Sequence, residues 1–256
     1  MKAISFLIGL LSLFSQSSTQ QTVSAVQRDP QAVALLQASV RAMGGTVPTD
    51  SIATGDIVTV AGSLTSTGTI RILTRGTDQS YDEIQTPSVF ALVYSRGRAS
   101  SIIGGTLSEL PIDLGVTTQS TDFPLPMFAG VLANSDTAFK YIGLETLNGN
   151  SVQHIQFWNT FASIPDLQSL ASSSLRDVWV NTSSGLPVRV SFKRRSANAP
   201  SQSTSIDVSL SEYRNINGVL YPFSIQVALN GTPWATITIQ NVTLNNGLDD
   251  TNFPVQ

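Results

Sequence analysis

From Ile52 to Arg98 apolar and polar residues alternate with period two. In "GTIRILTR", Ile70 and Ile72 point one way and Arg71 the other, the pattern of a strand whose sheet has one covered face. "DQSYDEIQT" and "SVFALVYSRG" continue it, and the alternation returns in "FKYIGLETL", "SVQHIQFW", "DVWVNTSSGLPVRVSF", "SIDVSLSEY", "VLYPFSIQVAL" and "WATITIQ". Asn148-Gly149, Asn217-Gly218 and Asn230-Gly231 join several of these runs. Both residues of an Asn-Gly pair tolerate the positive φ of a type I′ turn, so each pair predicts a tight hairpin. Tyr221, Phe223, Ile225, Val227 and Leu229 share one face of their strand, as do Ala235, Ile237 and Ile239 of the next. The whole predicts an antiparallel meander of about ten strands.

Three segments follow a helical pattern instead. In "RDPQAVALLQASVRAMGG", Asp29 caps, Pro30 suits the first helical position, and Val33, Leu36, Val40 and Met43 form an apolar stripe ended by Gly44-Gly45. A short apolar helix is predicted over about Pro126 to Ala133. A third is predicted in "SIPDLQSLASSSL", capped by Ser163, with Leu167, Leu170 and Ala171 on one face. The first 25 residues read differently: a charge at Lys2, an apolar run from Ala3 to Phe14, then small and polar residues. That is the plan of a cleaved signal peptide, with cleavage after Ser17 or Ala25. The run is too short to cross a bilayer, which takes about 20 residues. Residues 26–256 read as one exported domain without a transmembrane segment.

Charged residues are only 12% of the chain and the net charge is −3, which excludes the basic surface that nucleic-acid binding needs. The one dense basic run, Lys193-Arg194-Arg195, reads as a solvated strand end. Cysteine is absent, which removes disulfides, thiolate chemistry and thioether lipidation. The single histidine, His154, alternates out of phase with Ile155 and Phe157 and is expected at solvent or a sheet edge. No Gly-x-Ser-x-Gly elbow or second histidine accompanies it, and neighbours such as Asp82-Glu83 and Asp249-Asp250 point to opposite faces of a strand. An enzyme is not expected, nor a metal or cofactor.

A sheet of this width curls, and three short helices are little material to cover its apolar face. The concave side either encloses a cavity suited to an acyl chain or is a filled core. The candidate lining is Ile70, Ile72, Phe223, Ile225, Val227, Ile237 and Ile239, with Met127, Phe128 and Leu132 as lid.

Taken in order, "LLQASVRAMGG", "YIGLETLNGNSVQHIQF", "DVWVNTSSGLPVRVSF" and "NINGVLYPFSIQVALNGTPWATITIQNVTLNNGLDDTNF" resemble the LolA/LolB-like superfamily of bacterial periplasmic lipoprotein and lipid carriers, from Pro30 to Phe253. The resemblance implies an α+β, mainly β fold: an incomplete antiparallel barrel with helices as a lid over an apolar cavity. It implies as partner an acyl chain of a lipid or lipoprotein. The alternative it allows is a periplasmic envelope-sensing or interaction module with a packed interior and a protein partner. The chain departs from the anchored receptors in lacking a lipobox cysteine. Arg71 and Arg189 both fall on polar strand phases, so neither takes the place of the carriers' cavity arginine.

Overall fold

The computed structural model describes residues 26–195 and 202–256; the predicted signal peptide lies outside them. The chain forms two antiparallel meanders. The first runs through β1 (Asp50–Ala61), β2 (Leu64–Arg75), β3 (Gln79–Gln85), β4 (Val89–Ser95), β5 (Arg98–Ile103) and β6 (Thr106–Glu109). The second runs through β7 (Thr137–Leu147), β8 (Asn150–Asn159), β9 (Arg176–Asn181), β10 (Pro187–Arg195), β11 (Ser203–Ile216), β12 (Val219–Leu229) and β13 (Thr232–Leu244). Last strand pairs with first: β13 lies antiparallel to β1, with Ile237 opposite Ile57. Among the described residues one 13-stranded open sheet results, with β6 and β7 as its end strands; Phe139 of β7 exchanges backbone hydrogen bonds with Gln27 and Asp29 on its outer side.

The predicted Asn-Gly turns are present, with φ near +50° at Asn148, Asn217 and Asn230 and near +80° to +90° at the glycines that follow. Helix α1 (Pro30–Ala42) is capped by the Asp29 carboxylate, which accepts from the N–H groups of Gln31 and Ala32. Its end is fixed by close approach, because a Cβ on Gly44 would lie 2.5 Å from the Gly218 carbonyl oxygen. Two further helices, α2 (Ile112–Gly115) and α3 (Pro124–Ala133), lie in the connection between the meanders. The segment predicted as a third helix is a 3-10 helix, Pro165–Ser174, and Ser163 does not cap it: its hydroxyl donates to Asp136.

The main core lies between the concave face of the sheet and helices α1 and α3. A second cluster, on the convex face, packs Leu73, Tyr81, Ala91 and Val93 under Leu248, Phe253 and Val255 of the C-terminal tail. Asp50 clasps that tail, its two carboxylate oxygens accepting from the N–H groups of Asn246, Gly247 and Leu248.

Candidate functional site

The connection from β6 to β7 draws the two wings of the sheet together at one end. Helix α2 touches both β5 and β10, and the guanidinium of Arg194 donates to the Thr117 carbonyl at 2.7 Å. Between this bridge, α3 and the wings is a cleft of about 440 Å³. That lies inside the roughly 300–1,000 Å³ usual for small-molecule sites. Ile112, Val116, Met127, Phe157, Phe161 and Leu167 supply apolar walls, and Arg176 and Tyr94 reach it from the starts and ends of their strands. Gly130 of α3 lies flush against the β2–β3 turn, where a Cβ would sit 3.2 Å from the Cβ of Thr77. A side chain there would require Thr77 to give by a few tenths of an ångström.

Arg176 is 3% exposed. The period-two phase of β9 explains why: Val178 and Val180 are core residues, and Arg176 shares their face. Its guanidinium lies 4.2 Å from the centre of the Phe192 ring and donates to the Val116 carbonyl at 3.3 Å. Its other terminal nitrogen is buried and has no hydrogen-bond partner among the described residues. Burial, and then the neighbouring charge of Arg194, lower the Arg176 pKa to about 9, so it is a cation at neutral pH.

A second polar group lies on the same concave side. Asp82 faces Ile72 across β2–β3 and meets Asp122, just before α3, which sequence neighbours alone do not pair. Burial holds the Asp82 carboxyl well above its ordinary range, and repulsion from Asp122 adds to that. A hydrogen bond from Ser120 and the charge of Arg194 oppose it. Burial likewise raises Asp122 to about 6. The basic run is thus not wholly solvated: Arg194 turns inward with Val190 and Phe192, while Lys193 is exposed.

His154 has the predicted phase, opposite Ile155 and Phe157, but its neighbours largely shield it from solvent. Trp179 stacks on its ring at 4.3 Å, and Glu145 and Asp177 each hydrogen-bond one ring nitrogen at 2.7 Å. Neither nitrogen is free to take a proton from a substrate or bind a metal.

The predicted lining residues all belong to one cluster. Ile70, Ile72, Met127, Phe128, Phe223, Ile225, Ile237 and Ile239 are buried core, and Leu132 and Val227 are half-buried against it. In this closed arrangement they contact one another, and only Met127 also lines the cleft. Arg176, Tyr94 and the apolar walls from α2 and the 3-10 helix were not among the residues the sequence suggested.

No family model matches the chain, and no curated protein matches it. Solved structures do match in fold. A putative outer membrane lipoprotein-sorting protein domain from Vibrio parahaemolyticus aligns at a TM-score of 0.59 and 13% identity, over 87% of this chain and 96% of that one. A DUF1329 family protein from Desulfovibrio piger gives 0.58 and 12%, over 87% and 97%. A LolA superfamily protein from Nitrosomonas europaea gives 0.55 and 16%, over 87% and 97%. The chain has the LolA-like fold. At these identities the likeness concerns architecture alone, and it agrees with the fold that the sequence resemblance implied.

Proposed function

We propose that the protein is a non-enzymatic, periplasmic binding protein for an acyl chain of a lipid or lipoprotein. The observation that carries this reading is the cleft between the helical layer and the two sheet wings, with walls of Ile112, Val116, Met127, Phe157, Phe161 and Leu167. An acyl chain gains about 0.8 kcal/mol for each methylene buried, so a partly enclosed chain offsets the ordering cost of binding. Met127 links the cleft to the cluster behind α3. Ile70, Ile72, Phe128, Leu132, Phe223, Ile225, Val227, Ile237 and Ile239 form the further wall a chain would meet if α3 swung outward. The fold shared with a lipoprotein-sorting domain supports the same reading.

A specific observation favours the alternative, an envelope interaction module with a filled interior: Phe128 and Ile225 are fully buried in a continuous core. The two readings separate in one experiment. Native mass spectrometry of protein purified from its own envelope should show a retained lipid, and a fluorescent fatty acid should bind the delipidated protein. In Val131→Glu the new charge stands at the cleft, where water reaches it, so binding should be lost with little change in the denaturation midpoint. A parent protein that carries no lipid and binds no fatty acid would leave the interaction module.

A further inference from the structure

We propose, resting on the acyl-chain reading, that the cleft selects a single-chain amphiphile with an anionic headgroup, whose carboxylate or phosphate pairs with Arg176. Arg176 is almost wholly buried, one terminal nitrogen has no partner, and it forms no ion pair among the described residues. The residues outside the description contain no Asp or Glu, so none of them supplies the missing anion. A buried cation without a counter-charge is costly, and an anion entering from the cleft would relieve that cost.

The surroundings favour an oxyanion on a chain rather than a free ion. The Phe192 ring and the Val116 carbonyl hold the guanidinium in place, and its second terminal nitrogen is buried and unpartnered in a residue that lines the cleft. Tyr94 also lines the cleft, and burial raises its phenol, which therefore keeps its proton and can donate a second hydrogen bond. The cleft has two carboxylates of its own, Asp78 and Asp136, and neither pairs with Arg176. Asp136 is already occupied by the N–H and hydroxyl of Ser163. These rim charges disfavour a bare inorganic anion, whereas an amphiphile adds the binding of its chain to Phe157, Phe161 and Leu167. A neutral acyl chain, such as one attached through an ester or amide, would leave Arg176 unpaired.

The test is isothermal titration calorimetry of the delipidated protein with oleate, oleoyl lysophosphatidate, oleyl alcohol and oleylamine, each below its micelle concentration. The wild type should bind at least one of the two anions about tenfold to a hundredfold more tightly than the alcohol, and the amine most weakly. Which anion wins assigns the headgroup as carboxylate or phosphate. Arg176→Gln should bring the anion down to the level of the alcohol while the alcohol's affinity stays within about twofold. Because it removes an unpaired buried charge, it should also raise the ligand-free denaturation midpoint. Equal wild-type affinities for anion and alcohol would overturn the headgroup assignment and leave acyl-chain binding standing. So would an Arg176→Gln protein that keeps the preference. Failure of all four compounds to bind the wild type would instead sink the acyl-chain reading itself. The wild-type comparison decides the matter even if the variant does not fold.

Discussion

Asp50, buried, and Asp122, half-buried, have pKa values shifted in opposite directions, and each makes the stability of the protein depend on pH in its own direction. Asp50 is opposed by burial, but the N–H groups of Asn246, Leu248 and Gly247 and the Asn246 side chain outweigh it, so its carboxyl sits below the ordinary range. A depressed folded-state pKa contributes stability that is present above the unfolded value near 3.9 and is lost as pH falls below it. Asp122 is the reverse. Its folded pKa of about 6 means that the native state binds the proton more tightly than the unfolded chain, so stability declines as pH rises from about 4 to about 6. Asp122→Asn should therefore stabilise the protein at pH 7.5 by on the order of 2 kcal/mol and have little effect at pH 4. Asp50→Ala should cost about 3 kcal/mol at pH 7.5 and free the C-terminal tail. Urea denaturation at the two pH values measures both. An Asp122→Asn midpoint that is unchanged at pH 7.5 would show that the Asp82–Asp122 pair is hydrated.

At the same scale, the inward arginines were legible in principle. Arg194 continues the phase of Val190 and Phe192, and Arg176 that of Val178 and Val180, so the period-two rule places both on the concave face. A charged run at a strand end reads as solvated because exposure is the usual fate of such residues. What reverses that here is the β6–β7 connection, whose Thr117 and Val116 carbonyls receive the two guanidinium groups. The contact spans 77 residues for Arg194 and 60 for Arg176, a separation that local pattern does not encode.

Among the elements, the strands with strong alternation and Asn-Gly turns stand where the sequence put them, and the weakly patterned ones do not. β5 is Ser-rich and β6 has only four residues, so neither carries the alternation that marks the other strands. The segment Pro165–Ser174 has Leu and Ala at helical spacing but lacks an N-terminal side-chain cap, and it settles into the tighter 3-10 form. Strand β13 does more than its pattern suggests, since it pairs with β12 on one side and β1 on the other. Deleting Trp234 to Phe253 removes the seam between the meanders and uncovers Ile57 and Ile225, and it strips Phe253 from the convex cluster. The truncated protein should aggregate or unfold, as unpaired strands with an apolar face do. A soluble truncate with an unchanged far-UV spectrum would contradict that. Ile225→Glu, which places a charge opposite Leu210 and Ile237, should cost several kcal/mol for the same reason at one position.

At the scale of the whole molecule, the two meanders have separate strand sets and share three links: the β1–β13 ladder, the helical layer across the concave face, and the tail that crosses from β13 onto β2–β5. The ladder and the helical layer bury apolar surface against both halves, and the tail covers the first, so neither half keeps its core covered if the other opens. We expect a single cooperative unfolding transition. The tryptophans make this testable, because Trp158, Trp179 and Trp234 all lie in the second meander, on β8, β9 and β13. Their fluorescence reports that half alone, while far-UV circular dichroism reports strands of both. The two denaturation curves should superimpose. The cleft spans both halves, since its walls come from the first meander at Tyr94, the connection at Val116 and the second meander at Phe157. A bound amphiphile should therefore move both curves to higher denaturant together, by an amount that grows with the logarithm of its concentration. If fluorescence shifted while part of the circular dichroism signal stayed at the ligand-free midpoint, the first meander would be unfolding by itself and the cleft would belong to the second half.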